Sequence, residues 1–81
     1  MTVHQRVTWY CNKYKIAFDE RDLAAIGEEA ANVARRQHVP IRKMKILEGR
    51  RMLNVNHFPI EYLPTLSFLI EQYFAMKKTL G

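Results

Sequence analysis

The segment between Pro40 and Pro59 has a different hydrophobic period from the rest of the chain. On either side, apolar residues recur every three or four positions, which is the period of a helix. Inside the segment they alternate with polar residues in two short runs, 43–46 and 53–56, joined by the turn-like sequence Glu48-Gly49-Arg50-Arg51. Because a helix face cannot show a two-residue period, this segment is predicted to be a β-hairpin.

A first helix is predicted from about Val3 to Tyr14, with Thr2 as its N-cap. Trp9 is interpreted as an aromatic residue at the edge of the core, beside the apolar stripe of this helix. The stripe follows three- and four-residue steps through Val3, Val7, Tyr10, Cys11 and Tyr14.

A second helix is predicted to begin at Asp19 or Asp22, either of which can cap it, and to end before Val39-Pro40. Gly27 leaves two alternatives open, because glycine weakens a helix by up to about 1 kcal/mol relative to alanine. The segment is either one long helix packed closely against a neighbour or two short helices that meet at this glycine.

The C-terminal segment is predicted to be a third helix with more apolar surface than one small domain can cover. It either begins at Pro59 with a kink at Pro64, or begins near Pro64 itself. The apolar residues occupy more than half of its circumference, so one stripe is expected to face a second copy of the chain. The predicted dimer interface consists of Leu66, Leu69, Ile70, Tyr73, Phe74 and Met76.

Together these elements predict an α+β fold, mostly helical, with three to four helices and one hairpin wing, resembling a winged helix-turn-helix. Eighty-one residues form a single domain, with the helices and the basic hairpin in residues 1–58 and the C-terminal helix in 59–81. Cys11 is the only cysteine, so no disulfide forms within the chain, and no zinc-ligand spacing is present. No metal and no cofactor is predicted, and a homodimer is the expected source of additional stability.

The chain is expected to be a cytoplasmic protein, and nucleoid-associated if it binds DNA. The sequence MTVHQRVTWY lacks the apolar core of a signal peptide. The longest apolar tract is interrupted by Glu71 and Gln72, so no membrane association is predicted.

The positive charge is concentrated in the middle of the chain. The net charge is +5, and residues 35–57 alone carry seven cations against one acid, Glu48. Such a concentration is typical of a phosphate-binding surface. The alternative interpretation is a solvated cationic face without any partner.

Nine residues of this basic region are predicted to contact double-stranded DNA. Arginine and lysine are suited to phosphates and guanine edges, and arginines at a hairpin tip are suited to the minor groove. Asparagine can bond adenine, although in strands it often satisfies nearby backbone instead. The nine are Arg35, Arg36, Arg42, Lys43, Lys45, Arg50, Arg51, Asn54 and Asn56.

No catalytic residue is predicted. The three glycines are isolated, so there is no phosphate-cradling loop, and no aspartate, histidine and serine have a suggestive spacing. Cys11 lies in a predicted apolar stripe, which favours a buried structural thiol over a nucleophile. The chain is therefore interpreted as a non-enzymatic protein.

Residues 26–63, IGEEAANVARRQHVPIRKMKILEGRRMLNVNHFPIEYL, resemble the small winged helix-turn-helix DNA-binding proteins of phages and plasmids. In antirepressor or KilA-N-like modules, and in excisionase or MerR-like modules, a helix with an alanine pair precedes a basic turn. A hairpin then leads through an aromatic–proline step into another helix. Here Ala30-Ala31, Arg42-Lys43, Val55-Asn56 and Phe58-Pro59 occupy those places. The resemblance covers about half of the chain and implies a DNA-binding module.

The function that these observations favour is double-stranded DNA binding by a small transcriptional regulator or architectural factor, acting as a dimer. The main alternative is a protein–protein interaction module (an adaptor, an antitoxin or a phage-type inhibitor) that docks through the apolar C-terminal helix. RNA binding is a third option, and it requires Trp9 and the tyrosines to be exposed for stacking.

Overall fold

Three α-helices and one antiparallel hairpin make up the part of the chain that the computed structural model describes, residues 1–80. The architecture is therefore α+β and mostly helical, as predicted. In chain order the elements are α1 (Val3–Tyr14), α2 (Glu20–Arg36), β1 (Arg42–Glu48), β2 (Arg51–His57), a 3₁₀ turn (Ile60–Tyr62) and α3 (Leu63–Leu80).

Helix α1 begins and ends at the predicted residues. The Gln5 N–H donates to the Thr2 hydroxyl at 3.1 Å, and the Gln5 side chain accepts from the Thr2 N–H at 3.0 Å, which forms a capping box. Val7 and Cys11 of the stripe are buried. The prediction that Tyr14 belongs to the same stripe is wrong, because Tyr14 is 54% exposed and its ring packs against Tyr10 at the end of the helix.

Helix α2 is continuous, so of the two alternatives left open by Gly27 the single long helix is confirmed. Asp19 is its N-cap and accepts backbone N–H bonds from the first turn. A methyl group at Gly27 would meet nothing within 4 Å, so this glycine does not admit a close neighbour. The close approach lies at Ala30 and Ala34, which are both fully buried.

Helix α3 begins at Leu63, which confirms the second alternative for the C-terminal segment. Pro64 is the second residue of the helix, where the missing N–H would have no partner in the preceding turn. No helix within residues 1–80 has both the length and the apolar character needed to cross a membrane. The core that the three helices share contains Val7, Cys11, Ile26, Ala30, Ala34, Phe58, Tyr62, Leu66, Ile70 and Phe74.

An ion pair and a hydrogen bond join the start of α2 to the end of α3. The carboxylate of Asp22, which is only 2% exposed, accepts from the Tyr73 hydroxyl at 2.6 Å and from the Lys77 ammonium at 2.9 Å. Burial alone would raise the pKa of Asp22. These two hydrogen bonds and one from the Asp19 N–H outweigh burial and lower that pKa to about 2.

Residues 42–57, here called the ribbon, project from the three helices, here called the body. Every residue of β1 is exposed. The ribbon joins the body at Phe58, which is buried, stacks on the Tyr62 ring at 5.0 Å and donates its N–H to the Met1 carbonyl at 2.8 Å. Tyr62 in turn donates its hydroxyl to the Ala30 carbonyl of α2 at 2.8 Å. These contacts fix the base of the ribbon and leave most of its length in solvent.

Candidate nucleic-acid interface

A two-residue turn sets the register of the ribbon. Gly49 has a φ of 62°, and Arg50 follows with a negative φ. A positive φ at the first turn residue alone is the pattern of a type II′ turn, in which glycine is preferred at that position. Glu48 therefore pairs with Arg51, and six further antiparallel pairs follow as far as Arg42 with His57.

This register gives the ribbon two different faces, because paired residues share a face and successive residues alternate. The polar face carries Lys43, Lys45, Leu47, Met52, Asn54 and Asn56. The apolar face carries Arg42, Met44, Ile46, Glu48, Arg51, Leu53, Val55 and His57.

The predicted DNA-contacting residues are divided among four places. Four of them (Lys43, Lys45, Asn54 and Asn56) share the polar face. Arg42 and Arg51 lie at opposite ends of the apolar face, and Arg50 lies in the turn between the strands. Arg35 and Arg36 lie in the last turn of α2, outside the ribbon. The structure thus brings seven of the nine together on one projecting element.

The cations of the ribbon have no acidic partners among residues 1–80, where the salt bridges join Arg36 to Glu29 at 3.8 Å and Lys77 to Asp22. Arg35 donates to the Asn32 side chain at 2.7 Å. The two α2 arginines are thus engaged with their own helix. The five ribbon cations are Arg42, Lys43, Lys45, Arg50 and Arg51, and they remain open to an external anion.

Along β2, exposure falls from the tip of the ribbon to its root, whereas β1 is exposed throughout. Near the root, Asn54 and Asn56 line a groove together with Gly27 and Glu28 of α2. Asn56 is half-buried there, whereas Asn54 is exposed. The carboxylate of Glu28 in this groove makes the root less favourable to phosphate than the outer part of the ribbon.

Two exposed residues of the polar face were absent from the predicted contacts. Leu47 is 69% exposed and Met52 is 61% exposed, and they form a cross-strand pair one step from the pair that flanks the turn. A signal for them was present in the sequence. Extending the two-residue period from Lys43 and Lys45 by one step places Leu47 on the lysine face.

The residues of the predicted dimer interface lie at three depths on α3. Leu66, Ile70 and Phe74 are 0–5% exposed and belong to the core of their own chain. Leu69 and Tyr73 are partly buried against that core, and Met76 is 61% exposed. The surface that α3 offers to a second copy is therefore limited to its outer side and its C-terminal end.

Trp9 lies on the surface of α1 and is 48% exposed. The guanidinium of Arg6 is 4.5 Å from the centre of its ring, and the ammonium of Lys13 is 4.9 Å away. These cation–π contacts occupy the ring with cations of the same helix. Trp9 nonetheless has the exposure that stacking on a single strand requires.

No family model matches the chain, and no curated protein or solved structure matches it. Within residues 1–80, no three histidine, cysteine, aspartate or glutamate side chains are grouped in a way that could hold a metal ion. Cys11 is a buried free thiol, and burial raises its pKa. The ribbon is the candidate site on the basis of its own residues, the five exposed cations without acidic partners among residues 1–80.

Proposed function

We propose that this chain is a non-enzymatic double-stranded DNA-binding protein, a small regulator or architectural factor, and that the ribbon is its main contact with the duplex. The observation that carries the proposal is the group of five unpaired cations on a projecting two-stranded element. Cations kept free of acidic partners in solvent are the groups that neutralise phosphates and release counterions.

The dimensions of the ribbon suit a nucleic-acid groove. Seven residues per strand span about 23 Å at about 3.3 Å per residue. A two-stranded ribbon fits the major groove, which is about 12 Å wide, and strands also bind the minor groove where the duplex is deformed. The same element supplies lysines for the backbone and amides for base edges.

The charge of α2 favours the ribbon over this helix as the leading contact. Glu28 and Glu29 are exposed on α2, and Arg36 pairs with Glu29. A helix with acids on its surface is repelled by the phosphates that border the major groove. In this proposal α2 supports the ribbon, and the ribbon serves as the wing that contacts the duplex.

Titration of a labelled random-sequence duplex by fluorescence anisotropy, at several salt concentrations, tests the proposal. With about five phosphates neutralised, the slope of log K against log salt is expected to be about −4 to −5. The double variant Arg50→Glu with Arg51→Glu is expected to bind at least about tenfold more weakly at moderate salt, with its thermal unfolding unchanged. The matched control is Arg21→Glu with Lys78→Glu, which changes the net charge equally at exposed positions outside the ribbon.

Equal affinity of the two double variants would contradict the ribbon assignment. Single-stranded DNA and RNA are titrated in parallel, since tighter binding of either, with quenching of Trp9, would favour the stacking alternative. The interaction-module alternative is favoured by the exposure of Met76 and Leu80 at the end of α3, 61% and 84%. It predicts no binding to any nucleic acid at low salt.

A further inference from the structure

The Leu47–Met52 pair is an apolar tip on an otherwise polar face. Both residues are more than 60% exposed, and the register places them directly opposite each other, one pair away from the turn. The other large apolar residues of the ribbon are on the opposite face, where Met44 and Ile46 are about 40% exposed. The tip pair thus contributes little to the stability of its own chain, and exposed apolar groups of this kind mark binding sites.

The surroundings of the tip indicate what covers it. Lys45 lies two residues before Leu47 on the same face, about 7 Å along the strand. Arg51, paired with Glu48, lies on the opposite face, and Arg50 lies in the turn, three residues after Leu47. A purely apolar partner would have to desolvate these cations, which is unfavourable. Stacked base pairs offer an apolar surface between two rows of phosphates, so they match both the tip and its cationic border.

We infer that Leu47 and Met52 act as a wedge that inserts between two base pairs from the minor groove and kinks the duplex. This inference rests on the proposed DNA-binding function and specifies its mode. Leucine and methionine are among the side chains that proteins insert between base steps, and arginine is attracted to the minor groove. Lys43 and Lys45 hold the phosphates beside the kink, because residues two apart on a strand are spaced by about two base steps.

A wedge of this kind gives the protein a preference for deformable DNA. Unstacking costs less at a flexible or mismatched step, so such a site is bound more tightly than a fully paired one. The protein would therefore act as a DNA-bending factor whose selectivity comes from the ease of unstacking.

The test compares two duplexes of about 30 base pairs, one fully paired and one with a central mismatch, each with a fluorophore pair at its ends. The parent protein is expected to bind the mismatched duplex about tenfold more tightly and to raise energy transfer between the ends. The double variant Leu47→Thr with Met52→Thr keeps the charge and the strand preference of the ribbon. It is expected to bind the paired duplex within about threefold of the parent and to lose both the preference and the bending.

The matched control is Met44→Thr with Ile46→Thr, which removes two apolar side chains from the other face and should leave bending unchanged. Amide NMR spectra establish whether each variant keeps the ribbon folded. A measurement on the unmodified protein avoids variants altogether. With 2-aminopurine at the central step, fluorescence should rise on binding, because the base loses its stacking partner.

The outcomes separate the two proposals. Binding by the parent protein without bending and without a 2-aminopurine signal overturns the wedge and leaves the DNA-binding function intact. A threonine variant that keeps its ribbon and bends DNA like the parent also overturns the wedge. Absence of any duplex binding by the parent overturns both proposals together.

Discussion

The body and the ribbon of this small protein are stabilised in opposite ways. In the body, Val7, Ile26 and Leu66 are almost completely buried between three helices. In the ribbon, no residue of β1 is buried, and the strands depend on their own ladder, the turn and the anchor at Phe58. The comparison indicates that the body supplies stability and that the ribbon supplies a surface. A change in one region should therefore leave the property of the other largely intact.

The largest expected difference comes from the same substitution made once in each region. Leu66→Ala removes a side chain with no exposure and should lower the free energy of unfolding by about 3 kcal/mol. Leu47→Ala, at a residue that is 69% exposed, should change it by no more than about 0.5 kcal/mol. Urea denaturation followed by circular dichroism measures both. If Leu47→Ala were as costly as Leu66→Ala, the ribbon would belong to the cooperative core.

A smaller effect is expected from the ion pair within the body. The pKa of Asp22 is about 2 in the folded protein, below the ordinary value of 3.8 that applies to the unfolded chain, so the folded state favours the charged form. Its contribution is complete above about pH 5 and is lost as the pH falls through 4 towards 2. Asp22→Asn should cost about 1–2 kcal/mol at pH 7, a value reduced by solvent screening at the half-exposed Lys77.

The measurement is the free energy of unfolding of the parent and of Asp22→Asn from pH 7 to pH 2. The difference between the two proteins should shrink as the pH falls through the titration range of the carboxylate. A difference that stays constant over this range would mean that the negative charge of Asp22 contributes nothing. Glu48→Gln in the ribbon is the comparison variant, since Glu48 has no ion-pair partner among residues 1–80.

The smallest effects are expected at two glycines, with opposite signs in the two regions. Gly49→Ala places a side chain at a φ of 62° and should destabilise the turn by about 1 kcal/mol, seen as faster amide exchange in the ribbon. In Gly27→Ala, the added methyl group lies in open space in the middle of α2, so the substitution should stabilise the body by about 0.5–1 kcal/mol. Thermal unfolding and amide exchange of the two variants check both signs. A destabilised body in Gly27→Ala would contradict the open space seen above α2.

The elements were predictable from sequence because their signals are local. Thr2 and Asp19 are capping residues, and the two-residue period between Pro40 and Pro59 specifies a hairpin whatever surrounds it. The concentration of cations on one element followed from the same pattern. The start of α3 was left between two alternatives, since both prolines suit a first turn and only packing distinguishes them.

The features of the structure that the sequence did not predict depend on contacts between residues that are distant in sequence. Asp22 and Lys77 are 55 positions apart, and nothing in the local pattern pairs them. From the sequence alone, any apolar residue of α3 could be assigned to a dimer interface. Burial separates Leu66, which belongs to the core, from Met76, which faces solvent. The role of α3 as a dimerisation element and the DNA contacts of the ribbon remain predictions.

The anchor at Phe58 has a practical consequence for engineering. Because the backbone bond to Met1 and the stacking on Tyr62 fix where the second strand meets the helices, the outer part of the ribbon, towards the turn, has few packing demands. Residues 46–53 can be regarded as an exchangeable cassette on a constant scaffold, whereas residues 55–57 are half-buried at the root. Hairpins of the same length and turn, carrying other side chains, could be grafted there without redesigning the interior.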